Sequence, residues 1–185
     1  MSQFLVFFTA VFVSLAGKAS MIDINAGYLS DTMTTSSTVV TTRTNYDFAL
    51  GIHLGSKKNY FIAISYGSLA TSDQTTTTTT FTSQDTGIKF GTLFGKGRSW
   101  AFSVTYNFIG KAAYKAGAAT EVELRGTSLK SDLGYYMWLG ESTALAFKFM
   151  YYAPAFIEQV SGSTITKVSY SRATVMPGMN FYWEY

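Results

Sequence analysis

The chain carries a single histidine, His53, and no cysteine, which leaves few routes to acid–base or nucleophilic chemistry. No Ser/His/Asp constellation, metal-ligand cluster or glycine-rich phosphate loop can be read from it, so neither a cofactor nor a metal is expected. What does recur at regular spacing is charge. Asp23, Asp47, Asp132 and Glu184, with Lys89, Lys130, Lys148 and Arg172, lie inside apolar stretches, on the alternate positions that the large side chains leave free. Four acids and four bases placed this way have two chemical outcomes. Enclosed together, they pair into a salt-bridged plug, because a buried charge needs a partner. Around a water-filled bore, they line a narrow ion path.

The elements that must carry them are strands. Eight segments, at 22–28, 46–54, 60–67, 88–95, 100–108, 129–139, 145–152 and 172–185, alternate with period two. One face of each holds large apolar or aromatic residues, such as Tyr46, Phe48, Leu50 and Ile52. The other holds mostly Gly, Ala, Ser, Asn and the charges, as in Asp47, Ala49, Gly51 and His53. A soluble barrel would turn its bulky face inward. A small lumen accepts small and polar groups, so the bulky face is expected to meet lipid. A Lys or Arg on that face would cost about 2–4 kcal/mol at mid-bilayer, and every charge avoids it.

Composition agrees. Aromatics make up 17% of the 185 residues and charged residues 14%, against about 25% charged in soluble domains. The net charge of +3 gives no basic patch, so nucleic acid is not an expected partner. No apolar run after residue 20 approaches the ~20 residues of a membrane-spanning helix. Residues 4–15 form an apolar run of signal-peptide length, and Gly17-Lys18-Ala19 offers small residues at a cleavage site. The expected division is a signal peptide over 1–19 and a barrel over 20–185, with a retained N-terminal anchor as the alternative.

Connections alternate between short and long. Residues 55–59, 95–99 and 140–142 are short, Gly-bearing turns, whereas 30–45, 68–86, 110–128 and 154–169 are long and rich in Thr, Ser, Ala and Gly. Short periplasmic turns and long outer connections are the outer-membrane rule. The threonine run 75–80 can either extend the third and fourth strands or act as a solvated spacer. In the last connection, 156–160 and 164–168 read as a hairpin about Ser161-Gly162-Ser163. His53 falls at the short-turn end on the inward face and reads as a polar lumen side chain.

The final residues carry a resemblance. Met179, Phe181, Trp183 and Tyr185 share one strand face and end the chain on an aromatic. This resembles the C-terminal assembly signal of bacterial outer-membrane barrels. With the turn and loop asymmetry, the whole region 20–185 resembles the small eight-stranded barrels of the outer-membrane protein A and X type. The resemblance implies an all-β, antiparallel, up-and-down transmembrane barrel in the bacterial outer membrane, inserted by the barrel assembly machinery. It implies a monomer among outer-membrane lipid and lipopolysaccharide, with a largely closed lumen and a surface role carried by outer loops toward an unidentified extracellular ligand. A small gated pore is the alternative. A lipid-modifying enzyme is the weaker one, since His53 lies at the end away from the outer leaflet.

Overall fold

The computed structural model describes residues 20–34 and 38–185; the expected signal peptide over 1–19 lies outside them. Nine strands follow in chain order: β1 (Met21–Thr34), β2 (Thr38–Leu54), β3 (Tyr60–Gln74), β4 (Thr78–Phe94), β5 (Trp100–Ala116), β6 (Val122–Trp138), β7 (Thr143–Ser161), β8 (Thr164–Tyr170) and β9 (Thr174–Glu184). Each pairs antiparallel with its neighbours, and the wall closes because β6 pairs β7, β7 pairs β9 and β9 pairs β1. The ring therefore has eight positions. β8 only prolongs the hairpin of β7, and a break at 171–173 separates it from β9, which forms the eighth wall strand.

The offset of the ring follows from its register. From Met21 the rungs lead through Gly51, Ala63, Lys89, Thr105, Lys130 and Tyr152 to Thr174. Extending the β9–β1 register from Ala26–Met179 brings Thr174 opposite Asp31, ten residues above the start. Eight strands at that shear enclose a space that side chains can fill.

The alternation in the sequence is the alternation of the wall. Tyr46, Phe90, Phe102, Tyr106, Phe147 and Phe149 are exposed on the outside, while Ala49, Ser65, Lys89, Ser103 and Asp132 are buried inside. The interior also holds the larger side chains that alternation aims inward. Phe61, Tyr136 and Tyr182 also point inward and pack with Met21 and Leu93 at the short-turn end. Phe81 and Phe156 do the same at the other end. Small residues opposite make the room: the Phe61 ring lies where a Cβ on Gly91 would be.

The long connections differ from the expectation of loops. β1–β7 run 14 to 19 residues, whereas crossing a bilayer takes about 9–11. The surplus extends past the outer tyrosines as continuous sheet. The threonine run divides: Thr75–Thr77 lie between the strands and Thr78 opens β4. β-Branched side chains favour the extended backbone, which is why Thr-rich stretches lengthen strands here. The hairpin about Gly162 forms as read, with Gly162 at φ 60, a left-handed conformation glycine adopts without strain.

Phe61→Ala opens the aromatic layer at the short-turn end of the lumen. It is expected to cost about 3–5 kcal/mol, read by urea unfolding in lipid vesicles. A cost near that of an outward Phe102→Ala would mean this layer does not support the barrel.

Candidate functional site

The centre of the lumen is a block of six charges. Asp23 on β1 is its hub. Lys148 Nζ lies 3.0 and 2.9 Å from the two Asp23 carboxylate oxygens, and Lys89 Nζ lies 2.9 Å from Asp23 Oδ2. Lys89 also reaches Asp132 Oδ2 at 3.3 Å, and Ser103 donates to the same oxygen at 3.1 Å. Lys130 pairs with Asp47, whose other oxygen accepts from Asn45 at 2.7 Å and Asn25 at 3.3 Å. All six side chains belong to residues only 2–8% exposed.

Strand geometry explains the meeting. Alternation aims all six residues inward, and the antiparallel wall brings β1, β2, β4, β6 and β7 around one narrow space. Three carboxylates against three ammonium groups make the block neutral. That is the condition under which burial is tolerable, since an uncompensated interior charge is far costlier than a paired one.

The remaining two expected members sit elsewhere. Arg172 lies in the break between β8 and β9, half-buried at the outer end, where its guanidinium holds Asp73 at 2.5 and 3.0 Å. Thr41 donates to Asp73 at 2.8 Å. The Arg172 hydrogen bonds hold the Asp73 carboxyl below its ordinary pKa, against a smaller opposing effect of burial. Glu184 lies at the opposite end. Arg98 Nη2 reaches it at 2.7 Å and His53 Nε2 at 3.1 Å. The Tyr182 hydroxyl is 2.8 Å from His53 Nε2, and Arg98 stacks over Trp138 at 4.6 Å. The eight charges are thus three separate sets rather than one network, because barrel depth divides them.

Three participants escaped the sequence reading. Asp85 is buried and accepts from Tyr152 at 2.8 Å, Ser128 at 3.1 Å and Ser83 at 3.2 Å. It falls in a stretch that reads as a connection, yet Phe81, Ser83, Asp85, Gly87 and Lys89 continue one inward alternation that reveals it. Asp73 was missed for the same reason. Arg98 belongs to the turn Lys96–Arg98 and folds back into the lumen mouth, which no periodicity signals.

Apolar layers bracket the charges. Phe61, Tyr136 and Tyr182 lie below, with Tyr136 and Tyr182 edge to face at 5.5 Å. Leu69, Met150, Tyr152 and Met176 lie above, followed by Phe81 stacked on Tyr170 at 5.4 Å. No group of three or more His, Cys, Asp or Glu among the described residues is disposed to hold a metal.

Closed antiparallel wall, bulky outer face and filled polar lumen define a small transmembrane β-barrel of the outer-membrane kind. No protein-family model matches the chain, and no curated protein matches it in sequence. Solved structures do share its fold. The crystal structure of Neisserial surface protein A aligns over 89% of this chain and 96% of its own, at TM-score 0.56 and 9% identity. The translocator domain of the autotransporter NalP from Neisseria meningitidis aligns over 92% of this chain and 70% of its own, at TM-score 0.45 and 11% identity.

Two outcomes are expected. Asp23→Ala strands two buried lysines and should cost about 3–5 kcal/mol; Asp132→Ala should cost less, because Lys89 keeps Asp23. Equal losses in vesicle unfolding would deny Asp23 its central place. The Asp73–Arg172 pair stabilises the outer end above the unfolded carboxylate range, near pH ~4. That contribution is lost as pH falls through the lower folded pKa. Amide protection factors at Tyr170 and Thr174, which flank the joint, should fall on acidification and at neutral pH in Asp73→Asn; acid-insensitive protection factors would show that the pair does not hold the β8–β9 joint.

Proposed function

We propose that this is a non-enzymatic protein of the bacterial outer membrane with a closed lumen. It acts at the cell surface, in contact or in envelope integrity, through the hairpins that project beyond the bilayer. The observation that carries this reading is the filling of the lumen. A neutral block of lysine–aspartate pairs lies between two layers of buried aromatic and aliphatic side chains. An ion following the charges from either end would have to displace an aromatic layer, which argues against the gated-pore reading. His53 is engaged by Glu184 and Tyr182 at the short-turn mouth. That position and partnership favour a structural latch over acid–base catalysis.

The reading extends to partners. Exposed Leu54, Tyr60, Trp100 and Tyr185 at the short-turn end, and Tyr28, Tyr46, Tyr66 and Tyr106 toward the other, suit the two interfaces of a bilayer. Outer-membrane lipid and lipopolysaccharide would surround this band. Met179, Phe181 and Tyr185 are exposed on the outer face of β9, available to the barrel assembly machinery before insertion; Trp183 shares that face, half-buried. The protein would stand as a monomer.

Planar-bilayer recording of the refolded protein is expected to show no steady conductance; stepwise openings of the parent would replace the plug with the pore. A tag beside Thr77 or Gly162 should bind antibody on intact cells, and one at Lys57 should not. Reversed labelling would invert the orientation and move the proposed surface to the periplasm.

A further inference from the structure

One seam of the wall is shorter than the rest. The β1–β9 ladder runs from Met21–Glu184 to Ala26–Met179 and stops. On its other side β9 stays paired with β7 as far as Tyr152–Thr174, and β1 stays paired with β2 as far as Thr34–Thr38. The same register would next place Gly27 opposite Gly178, Tyr28 opposite Pro177 and Leu29 opposite Met176, yet these rungs are not formed. Pro177 explains part of this. It brings no backbone N–H, and proline within a sheet belongs to an edge. Above Ala26 the wall therefore has two edges facing each other, β1 on one side and β9 on the other.

The outer surface is hollow at this place. A groove of about 500 Å³ opens outward there, a volume in the range of small-molecule sites. Its floor is Ala26, Gly27 and Gly178; its sides are Tyr28, Tyr46 and Phe147, with Pro177 and Met179 along the β9 edge. Tyr28 and Tyr46 are 63% and 65% exposed, so the groove faces away from the lumen, on the bulky side of the wall. On the inner side, Leu29 and Met176 pack with Leu69, Met150 and Tyr152. An apolar layer of the lumen thus backs the slit.

We propose that this seam is a lateral binding groove for one acyl chain of an outer-leaflet lipid. The inference rests on the membrane reading above. In a bilayer the groove is open only to lipid, and its lining is apolar apart from backbone and hydroxyl groups. The unpaired edge begins level with Tyr28 and Tyr46, the interfacial tyrosines, where a backbone N–H still needs an acceptor. A lipid acyl chain together with its carbonyl linkage answers both conditions. Its methylenes fill the floor left by two glycines and an alanine. Its ester or amide linkage comes level with Tyr28 and Tyr46, where the unpaired edges and the tyrosine hydroxyls can meet it.

The test uses the refolded full barrel in phosphatidylcholine vesicles with stearic acid carrying a nitroxide near its chain end. Electron paramagnetic resonance should show a strongly immobilised component that saturates at equimolar probe and is displaced by palmitate. Ala26→Trp fills the floor and should abolish that component. Val104→Trp, outward on the opposite wall, should retain it. Met179→Trp provides a second filling variant should the first not fold, folding being judged by heat-modifiable migration. An inserted parent with no saturable component, or equal loss in Val104→Trp, overturns the groove. A dimeric mass abolished by Ala26→Trp would assign the groove to a second copy and overturn the lipid assignment. A parent that fails to enter vesicles at all would instead overturn the membrane reading on which the groove rests.

Discussion

Closure of the sheet with an offset of ten residues is the constraint from which the other features follow. It sets a lumen so narrow that side chains from non-adjacent strands must meet. Asp23 on β1 can touch Lys89 on β4 and Lys148 on β7 only because the wall has returned on itself. The same narrowness excludes an unbalanced charge. Three aspartates and three lysines at the centre are the number that leaves none over, and Asp85 beyond them is held by hydroxyl donors rather than by a cation.

The two faces of the wall solve different problems with the same residue types. Outside, aromatic side chains stand in a band and need only apolar surroundings. Inside, Phe61, Tyr136 and Tyr182 are buried against one another and against alanines and glycines that yield them space. Along the barrel axis the interior therefore passes from apolar to charged to apolar. The outer apolar stretch continues in the projecting hairpins, where Phe81, Phe156 and Tyr170 close the top. Those hairpins rest on an extension of the barrel with its own core, and they are paired sheet rather than loop.

Alternation made the wall legible in the sequence. The inward placement of Asp23, Lys89 and Asp132, and the outward placement of Phe90, Phe102 and Phe147, need nothing beyond period two. Depth was not legible, because shear depends on every register at once. Arg172 and Glu184 alternate as the others do, yet lie at opposite ends of the barrel from each other. Strand length is only partly legible where threonine and serine replace the lipid-facing aromatics: the hairpin about Gly162 can be read, whereas the threonine run leaves extension and spacer both open. Asp73 and Asp85 were lost with those stretches, although their inward alternation continues unbroken. Arg98 acts from a turn, and turns have no period.

β9 is where these constraints conflict. Its lower half closes the ring with β1 and carries Glu184 to Arg98 and His53, tying the last strand to a turn and to β2. Its upper half contains Pro177, which brings no backbone N–H where the ladder to β1 ends. β1 in the same stretch places Gly27 so near the Pro177 carbonyl that a Cβ would lie 2.7 Å from it. The two strands thus stay close at Gly27, but their paired rungs end at Ala26–Met179 and are not resumed toward the outer end. A strand that needed only to close the barrel would have no use for that asymmetry. The gap coincides with a groove lined by small residues and backed by an apolar lumen layer, which makes the unpaired half of the seam a place to receive a chain rather than a flaw in closure.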